Sequence, residues 1–297
     1  MSCIFTIDVE DWFHILDIPG GPPIGSWLSL ESRVERNFLL LLDLVDQHGV
    51  KTTCFFLGWI GEHFPHLVRE AHRRGHEIAS HGYAHRLVYE LTPQEFREDA
   101  EKARRILEDV AGCRVTGFRA PGFSVTKATP WFFEQLANSG YLYDSSIFPA
   151  RRGHGGLEEA GRDPFIVYTS SGVAIIEFPM TVAGVAKPMC FFGGGYLRLF
   201  PWPVIRTMTQ KCLNDKRTVI FYVHPREIDV DHPRLPMNRM RTFKSYVNLN
   251  TTQYKIEQIL KTFHCDRFHD EYTHVLATLD PGPRKFVGAV DGMEAFL

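Results

Sequence analysis

Apolar residues fall alternately into short continuous runs and into stripes at helical spacing, the pattern of strand–helix units that build a parallel sheet. Residues 3–9 read as a buried strand. Val34, Phe38, Leu41, Leu42 and Val45 share one face of a helix predicted over 30–47, opened by Ser29 and closed by Gly49. Residues 51–57 read as the next strand, 65–74 as a helix ending at Gly75, and 76–80 as a short strand. Thr92-Pro93-Gln94-Glu95 combines a cap, a first-turn proline and a glutamate three positions on, and opens a long charged helix to about Val110. The unit repeats with a strand at 114–119, a helix at 129–138 and a strand at 141–145. Segments 166–168 and 173–178 flank Ser170-Ser171-Gly172 and read as a hairpin. A helix at 203–213, a strongly apolar strand at 218–223, a helix at 251–263 and a strand at 275–279 complete the series.

About seven such alternations without a linker or internal repeat predict one α/β domain over 1–279, a distorted (β/α) barrel of about seven strands with the hairpin inserted. Residues 151–162 are Gly-rich and read as a loop. Residues 189–203, with Phe191, Phe192, three glycines, Tyr196 and Trp202, suggest a mobile aromatic loop over a site. Residues 280–297, with few apolar anchors, read as a loose tail.

Composition narrows the class. The 297 residues, 44% hydrophobic and 23% charged, describe a globular chain with a sizeable core. Thirty-three Lys and Arg against 35 Asp and Glu leave a net charge of −2, with no basic excess for nucleic acid. The six cysteines contain no Cys-x-x-Cys pair and read as free thiols of a reducing compartment. The first strand runs straight into Asp8, Glu10 and Asp11 without a basic and then apolar leader. No run approaches the roughly 20 apolar residues of a membrane span. The expected location is therefore the cytoplasm. Fourteen histidines are the unusual count, and what matters is which of them cluster.

In a βα barrel reactive groups collect at the carboxyl ends of strands. Four strand ends carry chemistry here: Asp8-Val9-Glu10-Asp11-Trp12, Ser80-His81-Gly82-Tyr83-Ala84-His85, Phe118-Arg119-Ala120-Pro121-Gly122-Phe123, and Tyr222-Val223-His224-Pro225. His81 and His85, four apart, suit two ligands of one divalent metal, and a carboxylate from the first strand supplies a third. Two His and one carboxylate leave positions for water and substrate, as a catalytic metal site requires. The structural alternatives are a buried Asp8–Arg119 ion pair, a rim histidine at 224 and a core indole at Trp12.

Taken in order, with Tyr143-Asp144-Ser145-Ser146, these segments resemble the five motifs of the polysaccharide deacetylases, carbohydrate esterase family four with its NodB homology domain. The resemblance covers roughly 3–229, with the helix and strand at 251–279 beyond it. The D-V-E-D-W form of the first motif resembles a subgroup associated with exopolysaccharide synthesis. The resemblance implies a distorted barrel, a divalent metal of the zinc type, and hydrolysis of the N-acetyl group of an acetylated amino sugar in a poly- or oligosaccharide. It makes Asp8 the general base, Arg119 its partner, His224 the general acid, and His81 and His85 metal ligands.

The third ligand departs from the common form, in which two Asp are adjacent. Here Val9 follows Asp8, and strand alternation puts Glu10 on the face of Asp8, so Glu10 is taken, with Asp11 the alternative. Gly122 stands where the family has an aromatic residue. Phe123 is expected to take over that contact, a backbone N–H near Gly122 to meet the oxyanion, and Trp12 to stack on sugar. Other readings are an amidohydrolase of the same fold acting on a small cyclic amide or imide, and a non-catalytic carbohydrate-binding relative. A cytoplasmic enzyme would meet a lipid-linked or nascent saccharide at the inner membrane face.

Overall fold

The computed structural model describes residues 2–278 apart from 17, 19–20, 152–154 and 185–187. The predicted tail at 280–297 lies outside the described residues. Nine strands form one sheet: β1 (Cys3–Val9), β2 (Thr53–Phe56), β3 (Glu77–Ser80), β4 (Gly117–Phe118), β5 (Tyr143–Asp144), β6 (Phe165–Tyr168), β7 (Ala174–Glu177), β8 (Val219–Val223) and β9 (Cys265–Asp266). Their order is β6-β7-β5-β4-β3-β2-β1-β8, with β9 paired to the start of β1. Every pairing is parallel except β6 on β7. The hairpin lies within the series: β7 continues the parallel order on β5, and β6 forms its edge.

The sheet curls into a half-barrel, and chain rather than strand crosses its open side. Thr181 Oγ1 accepts from Ile220 N and donates to Thr218 O, and Tyr222 N donates to Phe192 O. These bonds satisfy strand groups on β8 that would otherwise be left open at an edge.

Helices α1 (Val34–Gln47), α2 (Gly58–His63), α3 (Pro65–Arg73), α4 (Pro93–Ala111), α5 (Phe132–Asn138), α6 (Gly194–Leu199), α7 (Trp202–Asn214), α8 (Arg239–Tyr246), α9 (Thr252–Thr262) and α10 (Phe268–Thr278) complete the fold. The capping box at Thr92 and the left-handed Gly112 bound α4 as its sequence dictates. The strand predicted at 275–279 is corrected: residues 275–278 belong to α10, and 279 lies outside the described residues. Phe268, Tyr272 and Val275 recur at helical spacing and pack on the barrel interior, with the Phe268 ring 5.8 Å from Phe55 and 5.5 Å from Tyr143. Burial of that face outweighs the strand preference of a short apolar window. No helix among the described residues is long and apolar enough to cross a membrane, and all six cysteines are free.

The sheet positions the site through the period of β1. Cys3, Phe5, Ile7 and Val9 face the helices, and Ile4 faces the barrel interior, so Thr6, Asp8 and Glu10 follow it on the inner face. Polarity rises along that inner row toward the carboxyl end.

Candidate active site

Asp8 and Arg119 meet at the top of the barrel, both buried. Arg119 Nη1 donates to Asp8 Oδ1 at 2.7 Å and to Thr6 Oγ1 at 2.8 Å. Its Nε donates to Ser145 O, its Nη2 to Ser145 Oγ, and the guanidinium lies over the Phe55 ring. A buried guanidinium is tolerated only when its donors are met and a carboxylate balances it. β1 and the residue that follows β5 supply those partners to an arginine that leaves β4.

Beside this pair, Glu10, His81 and His85 bring one ligand atom each to within 4.8 Å of one another. His81 Nδ1 donates to Arg119 O at 2.7 Å, which fixes the ring and leaves Nε2 unprotonated. Burial and the neighbouring His85 hold His81 down at about 3, so the ring is neutral. His85 Nε2 lies 2.8 Å from Glu10 Oε2, yet that oxygen has no hydrogen-bond partner among the described residues, and neither has His85 Nδ1. Burial opposes the charge on Glu10, but His85, His224 and Arg226 outweigh it and hold the carboxyl well below the usual carboxylate range. An ionised carboxylate, a neutral imidazole and a second imidazole, close together and not satisfied by one another, fit a divalent ion of the zinc type. His85 itself is held at φ 52°, a conformation that costs a non-glycine residue about 1–3 kcal/mol and that packing must sustain.

His224 approaches from the end of β8. Its Nε2 lies 3.8 Å from Asp8 Oδ2 and 3.6 Å from Glu10 Oε1. Its Nδ1 faces Glu227 Oε2 at 3.2 Å, and Glu227 is paired in turn with Arg198 of α6. Burial lowers His224 to about 4 in spite of the two acids. The ring is therefore neutral near pH 7, with Nδ1–H toward Glu227 and a bare Nε2 toward Asp8. Glu227 stands three residues after His224 in the sequence and was readable there as an orienting partner; Arg198 had no such signal.

These groups open into a cavity of about 340 Å³ lined by Asp8, Glu10, His81, His85 and His224, and by Gly122, Phe123, α6 and α8. Gly122 lies at φ 64° and Phe123 at φ 54°. The Phe123 amide donates to Ala120 O, and its ring, 4% exposed, packs 5.0 Å from Tyr222 and 5.7 Å from Phe148.

Three expectations are corrected by this geometry. Trp12 does not line the cavity: its indole N–H donates to Glu31 O, and its ring packs edge-on against Phe13. Segment 189–203 is an anchored wall and not a free loop, because Phe191 and Phe192 are buried and α6 begins within it. A Cβ on Gly193 would come within 2.1 Å of the Tyr222 ring, so only glycine admits this approach. Asp11 points elsewhere, accepting from Trp12 N, Ser32 Oγ, Arg33 N and Val34 N, and so it opens α1 from a distance. Ser29 lies in a short turn before that helix and does not cap it. His14, not expected at the site, is buried with its ring 6.1 Å from His85.

Residues 27–141 match the polysaccharide deacetylase family model, and residues 145–273 match a domain of unknown function, DUF3473. A peptidoglycan deacetylase-like protein of Gibberella zeae is 32% identical over 149 residues, 50% of this chain and 38% of that protein. The peptidoglycan-N-acetylglucosamine deacetylase of Bacillus cereus is 34% identical over 96 residues, 32% of this chain and 35% of that enzyme. The matched stretches thus span little more than a third of those relatives. Among solved structures, a Mycobacterium smegmatis protein assigned to the polysaccharide deacetylases superposes with a TM-score of 0.63 at 20% identity, covering 95% of this chain and 93% of that one. The PuuE allantoinase superposes with a TM-score of 0.60 at 17% identity, covering 95% and 91%. Both likenesses are of fold. Residues 27–141 are thus similar in sequence to polysaccharide deacetylases, and the described residues share the fold of the superposed structures.

Proposed function

We propose that this domain removes N-acetyl groups from an acetylated amino sugar in a poly- or oligosaccharide, with Glu10, His81 and His85 holding a divalent ion of the zinc type. The observation that carries the reading is the buried Glu10–His85 contact left unsatisfied beside the Asp8–Arg119 pair, with His224 facing both. Such an ion supplies Lewis acidity, polarising an amide carbonyl and bringing the pKa of water to about 7. Asp8, oriented by Arg119, takes the proton of the attacking water. Because His224 is neutral and its Nε2 lies 3.8 Å from Asp8, we take the proton that His224 delivers to the departing amine to be the one Asp8 removed. Glu227 keeps the ring in the tautomer this transfer needs. The Gly122 amide borders the place where the oxyanion develops, and Phe123 forms part of the wall behind it. Products are acetate and a free amino sugar.

We read the two matched segments as one catalytic unit over 1–279, since Asp8, Arg119 and His224 come from both sides of residue 145. The D-V-E-D-W motif suggests an exopolysaccharide substrate, met as a lipid-linked or nascent saccharide at the inner membrane face; recovery of the protein in the periplasm alone would contradict that placement. The cyclic-amide reading is not favoured, because the aligned curated relatives are named as deacetylases and the allantoinase likeness is of fold alone. The test is acetate release from a panel of acetylated oligosaccharides, with metal content measured alongside. Release that stops on chelation, returns with zinc and is absent from His81→Ala supports the reading. Unchanged turnover in metal-free protein overturns it.

A further inference from the structure

The cavity holds more positive charge than the mechanism uses. Asp8 is matched by Arg119 and Arg198 by Glu227. Three further cations line the cavity: Arg226 beyond β8, whose acidic neighbour is Glu10, and Arg241 and Lys244 on α8. The Arg226 side chain is only 11% exposed, and its nearest carboxylate oxygen, Glu10 Oε1, lies 3.7 Å from Nε, beyond hydrogen-bond reach. Arg226 Nε and Nη1 have no hydrogen-bond partner among the described residues. Arg241 is tethered by Nη2 to Leu16 O at 2.6 Å, its Nε likewise has no partner, and it pairs with no carboxylate among the described residues. Lys244 is exposed at the same rim, also without an ion pair among the described residues. The Lys244 carbonyl accepts from Arg198 Nη2 at 2.8 Å, which fixes α8 against α6.

Planar guanidinium groups whose buried donors lack a hydrogen-bonded carboxylate are arranged for an anion that arrives with a ligand. The apolar side chains beside them, Leu199, Met240 and Phe243, are exposed at the mouth and offer surface to the faces of sugar rings. We propose that the saccharide carries an anionic group, a carboxylate or a phosphate, next to the acetylated amino sugar, and that Arg226, Arg241 and Lys244 receive it. This rests on the deacetylase reading for the identity of the sugar, but not for the anion contact itself.

The test compares three probes: neutral N,N′-diacetylchitobiose, a uronate-containing hyaluronan disaccharide, and uridine diphosphate N-acetylglucosamine. Acetate release and calorimetric binding are measured for each at low and at raised salt. The expected result is an advantage of about tenfold or more for at least one anionic probe, weakened by salt, and the favoured probe distinguishes a uronate from a phosphate source. In Arg226→Gln the advantage shrinks through KM more than through kcat, and Arg226→Lys restores part of it. Should Arg226→Gln not fold, the outer double variant Arg241→Gln with Lys244→Ala is expected to reduce the same ratio. A neutral disaccharide that binds as well as both anionic probes, or a preference that survives these variants, overturns the inference. If no probe releases acetate yet the anionic ones bind preferentially, the deacetylase reading fails and the anion site stands.

Discussion

Two pairs of buried acids sit at strand ends of one sheet and behave in opposite ways. Asp8 and Glu10 on β1 face Arg119, His85 and His224 and open into the cavity. Asp144 on β5 and Glu177 on β7 are register partners and fully enclosed, with no ion pair to a cation among the described residues. Burial raises Asp144 to about 6 and Glu177 well above the usual range, so the pair holds a shared proton. Ser146 Oγ donates to Asp144 and accepts from Ala120 N, while Glu177 accepts from Ile147 N, so this pair braces the backbone that leads to Gly122. Acids at a strand end are therefore not enough for chemistry. What separates the two pairs is the cations around them and access to a cavity.

The largest effect should come from removing what the first cluster holds. Chelation, or His81→Ala, is expected to cut acetate release by a factor of 100 or more with the circular dichroism spectrum kept, on the scale of losing a catalytic ligand. Asp8→Asn should lower kcat by about 10²–10⁴ and also the melting temperature, because Arg119 is left buried and unpaired at a cost of about 3–5 kcal/mol. Thermal denaturation and steady-state kinetics on the same sample separate the two losses.

The second cluster is broken by pH. Its carboxyls titrate higher in the fold than in the unfolded chain, so their stability is full at acid pH and is lost as pH rises through about 6. Glu177→Gln keeps one partner permanently neutral and should recover about 1–3 kcal/mol near pH 8, measured as melting temperature from pH 5 to 9. The histidines of the first cluster act in the other direction. His81 and His224 are depressed to about 3 and 4, so the stability they contribute is full above the unfolded value of about 6.5 and is lost as pH falls toward 4. Metal-free His224→Asn should show a shallower acid limb than the parent. The smallest expected change is remote from both clusters: Thr92→Ala removes the capping box of α4 and should cost about 1 kcal/mol without altering turnover.

Much of the site was legible because its logic is periodic. Alternation along β1 put Glu10 with Asp8, and the four-residue spacing of His81 and His85 put two rings at one strand end. What stayed hidden depends on distant contacts. Asp11 stayed the alternative to Glu10 until its partners at 32–34 came into view, and a helix capped from more than twenty residues away leaves no local signature. Trp12 looked like a sugar platform because it stands next to the candidate metal carboxylate, but its N–H found Glu31 O and its ring found the core. Strands β4 and β5 shrank to two residues each because only the register with their neighbours decides where pairing ends. The barrel, the parallel order and the capping of α4 followed from pattern alone, whereas α10 required knowing which surface its aromatic face would cover.

The central place of β1 has a consequence for how the protein is made. Its outer neighbour β8 pairs Cys3 with Val219 and Ile7 with Val223, so one side of the first strand waits for more than two hundred further residues. At about 5–20 residues per second of synthesis, that side stays open for roughly 10–40 s. Throughout that interval the unpaired backbone groups on that side of β1 are available to any passing strand. Conditions that slow elongation between residues 56 and 219 should therefore lower the soluble yield more than a comparable delay after 223.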